Sequence, residues 1–97
     1  MSSTSSTATV RRRVIYRGRV QGVGFRANVA RLSLRFPVGG SVRNLPDGTV
    51  ELIVDAEPDV FAEFHEAIQD RFVGYITSCD IERLSVQEPF TRFRVRL

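Results

Sequence analysis

The chain has 97 residues, 42% of them apolar, which suits one small domain with a single modest core. It holds no apolar run near the roughly 20 residues that a membrane-spanning helix needs, and its one cysteine, Cys79, excludes an intrachain disulfide and, with His65 the only histidine, leaves a zinc site short of ligands. The net charge of +3 is unevenly spread: residues 1–46 carry nine arginines (11, 12, 13, 17, 19, 26, 31, 35 and 43) and no acid, residues 47–97 carry five arginines and eleven acids, and lysine is absent.

Met1 to Thr9 is rich in Ser and Thr and has no apolar core. It reads as a disordered leader, residues 1–9, and not as a secretory signal, with a single domain over residues 10–97. Arg11 to about Gly18 is rich in Val, Ile and Tyr and predicts a first strand. Val20-Gln21-Gly22-Val23-Gly24 follows as a glycine-bearing loop. Phe25, Val29, Leu32 and Phe36 then recur at spacings of four, three and four, the apolar stripe of a helix over about 25–35, which Pro37 ends.

Ser41 to Leu45 predicts a second strand, Pro46-Asp47-Gly48 a turn, and the alternation of Val50, Leu52 and Val54 with Glu51, Ile53 and Asp55 a third strand that closes a hairpin. Pro58 sits where a helix would begin. Phe61, Phe64, Ile68 and Phe72 share one face, with Asp59, Glu63, Glu66 and Asp70 opposite, giving a second helix over about 58–73. Ile81 to Gln87 predicts a fourth strand, and the strict alternation of Arg92-Phe93-Arg94-Val95-Arg96-Leu97 a fifth. The order is β-α-β-β-α-β with an added C-terminal strand. It implies an α+β two-layer sandwich of ferredoxin-like type, two helices on one face of an antiparallel sheet.

The loop is the strongest chemical feature. Gly22 and Gly24 lack Cβ, so successive backbone N–H groups can turn towards a ligand, and the helix behind them adds its unpaired N–H groups and positive dipole end. A phosphate docks readily in such a place, and Arg26 in the first turn can grip it with a paired fork. The acid-free first half suggests the same anionic ligand; the alternative is that the fold interleaves the halves and the arginines pair across elements. Asn44, just before the turn, reads either as a turn cap or as an amide able to hold a water. His65 reads as a surface residue and Cys79 as a small buried hydrophobe, in a reducing cytoplasm. The loop offers no Cys, Ser, His or Asp as nucleophile, and no acidic cluster adjoins it to hold magnesium. A phosphohydrolase built this way needs a reactive substrate such as an acyl phosphate, whose carboxylate leaves without a general acid.

Gly18-Arg19-Val20-Gln21-Gly22-Val23-Gly24-Phe25-Arg26 resembles the first signature of the acylphosphatases, and Gly40-Ser41-Val42-Arg43-Asn44-Leu45-Pro46-Asp47-Gly48-Thr49-Val50 resembles the second, with matching spacing and element order over about residues 11–97. The resemblance implies hydrolysis of the carboxyl-phosphate bond of small acyl phosphates. It makes Arg26 the phosphate-binding residue and Asn44 the residue that orients the attacking water, with Gln21, Gly22, Val23, Gly24 and Phe25 contributing backbone donors. No cofactor and no metal is expected. Inorganic phosphate or sulfate is expected to fit the loop, and the protein to be a cytoplasmic monomer. Ser41 stands where the family usually has an aromatic residue, so packing beside Asn44 is expected to be lost, and Phe36-Pro37-Val38-Gly39 is an altered helix exit. The rival readings are an idle phosphate-binding domain and an RNA-binding module. The latter needs exposed aromatics on the central strands, where only Tyr16 is present, so nucleic acid is not expected as a partner.

Overall fold

The computed structural model describes residues 8–86 and 88–97. Seven elements follow one another: β1 (Val10–Gly18), α1 (Phe25–Ser33), β2 (Gly39–Asn44), β3 (Val50–Ala56), α2 (Pro58–Arg71), β4 (Ile76–Leu84) and β5 (Phe93–Val95). The strands form one sheet in the order β4-β1-β3-β2-β5. The expected ferredoxin-like arrangement of two helices against a sheet is present. The expected leader lies almost wholly outside the described residues.

Register explains the core. Val14 pairs with Leu52, Tyr16 with Val50 and Val42 with Leu52. These side chains share the face that the helices cover, and all are fully buried. The helices meet them with the stripes read from the sequence: Phe25, Val29 and Leu32 from α1, and Phe61, Phe64 and Ile68 from α2, with Phe72 just beyond its end. Pro58 occupies the first turn of α2, where its missing N–H costs nothing. Phe36 lies beyond α1, which stops two residues short of the predicted end, and rests on Phe64 at 5.5 Å between ring centres. The altered helix exit is thus pinned to the core.

The opposite face carries charge. Arg11 grips Asp55 through two bonds of 2.6 and 2.7 Å, Glu51 accepts from Arg13 at 2.6 Å and Arg43 at 2.7 Å, Arg13 also reaches Glu82 at 3.2 Å, and Arg17 reaches Asp80 at 2.5 Å. Four of the nine first-half arginines therefore pair with second-half acids, which is the interleaving alternative. Glu51 and Asp55 are buried. Burial pushes the Glu51 carboxyl up, but the bonds from Arg13 and Arg43 outweigh it and hold it below the usual range. Ser41 lies on this side, 1% exposed, three residues along β2 from Asn44 and so on the other face of the strand. The packing loss expected beside Asn44 therefore does not fall there.

Three expectations are corrected. The fourth strand is Ile76–Leu84, not 81–87 (Gln87 lies outside the described residues): it is a sheet edge whose residues are mostly exposed, so its sequence shows little apolar alternation and its pairing with β1 defines it. The last strand narrows to Phe93–Val95 and runs parallel to β2, so the sheet is mixed and not purely antiparallel. The cause is the connection after Leu84. It must cross the sheet end from the β4 edge to the β5 edge, and Arg11 and Asp55 hold it there, Arg11 donating to the Glu88 carbonyl at 2.8 Å and Asp55 accepting from the Phe90 N–H at 3.3 Å. A chain arriving beside the start of β2 can only continue alongside it. The third correction is His65, which is half-buried: its Nδ1 is 2.8 Å from the Tyr16 hydroxyl, and its ring stacks on Phe61 at 5.5 Å.

Candidate active site

The β1–α1 loop is held from both sides. The Arg19 N–H donates to the Tyr75 carbonyl at 2.9 Å, fixing the loop to the turn before β4. Val20 is buried and anchors it from below. The Gln21 side-chain amide donates to the carbonyls of Leu45 and Thr49, both at 2.8 Å, and so staples the loop to the β2–β3 hairpin. Between these ties Gly22 and Gly24 take φ of 79° and 77°, left-handed conformations that a side chain would strain. Gly24 is the N-cap of α1 and no side chain caps that helix. Among the described residues no backbone carbonyl accepts from the N–H groups of Gln21 to Gly24, and those of the first helical turn lack intrahelical partners by geometry. Phe25 fixes the helix start, its ring 5.2 Å from Tyr16 and 4.6 Å from Phe72.

Gly22, Gly24, Phe25, Arg26 and Asn44 line one pocket of about 280 Å³. Asn44 enters from the end of β2, on the helix-covered side with Val42. Arg26 enters from α1, and one of its terminal N–H groups donates to the Arg96 carbonyl at 2.9 Å, which steadies the guanidinium at the pocket wall. Two expected loop residues do not line the pocket. The Gln21 side chain turns to the hairpin, and Val23 packs on the core. Sequence reasoning missed the far wall, Val95 and Leu97, and the Arg96 carbonyl. The strict alternation of residues 92–97 was the signal for it, since it puts Phe93, Val95 and Leu97 on one face. Its pocket-lining place follows only from the parallel pairing with β2.

Cys79 is half-buried with its sulfur 3.8 Å from His65 Nε2, and burial raises its thiol pKa while lowering that of His65. Among the described residues, no three His, Cys, Asp or Glu side chains group closely enough to hold a metal ion, and no helix is long and apolar enough to cross a membrane. Tyr16 is fully buried under the helices, so it offers no base-stacking surface.

Comparison with known proteins agrees with this geometry. The acylphosphatase family model matches residues 12–95. The chain is 48% identical over 85 residues to an acylphosphatase of Treponema denticola, covering 87% of this chain and 89% of that one. It is 40% identical over 89 residues to one of Caldivirga maquilingensis, covering 90% and 94%. The crystal structure of the acylphosphatase from Bacillus subtilis superposes with a TM-score of 0.82 at 30% identity, over 91% of this chain and 99% of that one. A family pattern that spans nearly all of the folded residues, relatives matched almost end to end and a shared fold make the chain a member of the acylphosphatase family, enzymes that hydrolyse acyl phosphates.

Proposed function

We propose that the pocket hydrolyses its acyl phosphate by direct attack of a water that Asn44 orients. Arg26 and the N–H groups of Gln21 to Phe25 bind the phosphoryl oxygens. The water oxygen forms a bond to phosphorus, and the bond between phosphorus and the carboxyl oxygen breaks. The carboxylate leaves with the bonding pair, and the water's protons pass to phosphate and solvent. A loose transition state needs little base assistance, so an amide that accepts one hydrogen bond and donates another suffices to aim the water. The arginine fork and the aligned N–H groups stabilise charge that is already spread over the equatorial oxygens. The observation that carries this reading is the meeting of Arg26, Asn44 and the two left-handed glycines around one pocket. The carboxylate is a good leaving group, so no metal and no covalent intermediate is needed.

The enzyme works as a cytoplasmic monomer, in keeping with a single half-buried cysteine, and its loop also holds inorganic phosphate or sulfate. The deciding experiment is hydrolysis of an aryl acyl phosphate with and without EDTA. Unchanged turnover with the chelator and competitive inhibition by phosphate are expected; a clear loss with EDTA refutes the metal-free site.

A further inference from the structure

We propose that the groove between α1 and β5 is an acyl-chain subsite that selects acyl phosphates with an elongated apolar acyl group ending in a second anion. This rests on the reading of Arg26 and Asn44 given above. The groove, about 600 Å³, continues from the catalytic pocket, with Ala27 shared by the walls of both. It runs from there along α1 to Leu34, seven residues or about 10 Å of helix rise. Ala30 keeps the α1 wall low, and the half-buried rings of Phe36 and Phe93 supply apolar surface. Leu34 is 84% exposed at the far end, a large apolar side chain left to solvent.

The far end is also cationic. Arg31 and Arg92 line it, and among the described residues neither has a carboxylate within ion-pair distance, whereas the arginines of the sheet's other face are paired with acids. β5 runs parallel to β2, so Val95 lies at the catalytic pocket and Phe93 in the groove, about 7 Å apart along one strand. A substrate with its phosphoryl group on the loop can lay its chain against β5 and bring a terminal carboxylate to Arg31 and Arg92. Continuity with the catalytic pocket and the unpaired charges favour this occupant over a second copy of the chain.

The test is kcat/KM for acetyl phosphate, nonanoyl phosphate and the monoacyl phosphate of azelaic acid, in the wild type, Ala30→Phe and the double variant Arg31→Gln/Arg92→Gln, each checked for folding by circular dichroism. The wild type should prefer the azelaic substrate over acetyl phosphate by about 10-fold or more, with nonanoyl phosphate between them. Ala30→Phe should abolish the preference for both long chains while leaving acetyl phosphate within about twofold. The double variant should erase only the advantage of the carboxylate over the uncharged chain. Equal turnover of all three substrates by the wild type, or equal losses on all three in the variants, overturns the subsite. So does a dimer in sedimentation that Ala30→Phe dissolves with the substrate preference unchanged, which gives the groove to a second copy. If Arg26→Ala leaves acetyl phosphate hydrolysis intact, the active-site reading itself falls, and the subsite with it.

Discussion

At the scale of single residues, Arg26 carries the proposed chemistry and is itself held by the Arg96 carbonyl. A guanidinium kept in place loses less side-chain entropy when it meets phosphate, and its fork offers two parallel donors. Arg26→Ala should reduce turnover of an acyl phosphate to background, and Arg26→Lys should recover little of it, because a single ammonium cannot reproduce the fork; both are read from steady-state rates. The role proposed for Asn44 is separable from that of Arg26. Asn44→Ala should lower kcat by roughly 10²-fold or more while the inhibition constant of inorganic phosphate changes little. Loss of phosphate affinity instead would show that Asn44 builds the pocket and does not aim the water. The place of Arg26 in the pocket was legible because it falls in the first turn of a helix behind two glycines. Asn44 needed the family resemblance, since an asparagine before a turn has an ordinary capping explanation.

At the scale of elements, the loop depends on the hairpin beside it. The Gln21 amide satisfies two carbonyls at once, those of Leu45 and Thr49, which flank the turn that follows Asn44. Gln21 thus couples the β1–α1 loop to the strand that presents the Asn44 amide. Gln21→Ala should cost about 1–2 kcal/mol of stability in urea unfolding and should lower kcat more than it raises KM, because loop and Asn44 would lose their mutual alignment while the N–H groups remain. The helices were legible because α1 and α2 bury continuous stripes at helical spacing. The extent of β4 was not legible because it is an edge: Ile81 is 47% exposed, and nothing in its sequence needed to alternate.

At the scale of the molecule, two layers of charge and burial set stability. Asp55 is buried, takes both bonds from Arg11 and accepts from Phe90, so it joins β1, β3 and the crossing segment. Asp55→Asn should destabilise by about 2–4 kcal/mol, whereas Asp80→Asn, whose ion pair with Arg17 is exposed, should cost under about 1 kcal/mol; the two are compared by urea midpoints. Acid should also destabilise the fold in two stages. Burial lowers the His65 pKa below its ordinary 6.5, so below that pH the unfolded chain takes up the proton first and stability falls. The Glu51 carboxyl is held below its ordinary 4.5, so a further loss begins under that pH. His65→Gln should remove the first stage and keep the second, as followed by melting temperature against pH.

The sequence by itself determined the two-layer class, both helices, the hairpin, the loop with its arginine and the family, because each rests on local signals: periodicity, turn residues, helix ends and two contiguous motifs. The partners of the charges, the burial of His65, the extent of β4 and the wall formed by Val95 and Leu97 were decided by tertiary structure. Each depends on which strands become neighbours, and a strand acquires its neighbour only once distant segments pair. The parallel seat of β5 beside β2 is the plainest case, for it completes the pocket around Arg26 with residues from the far end of the chain.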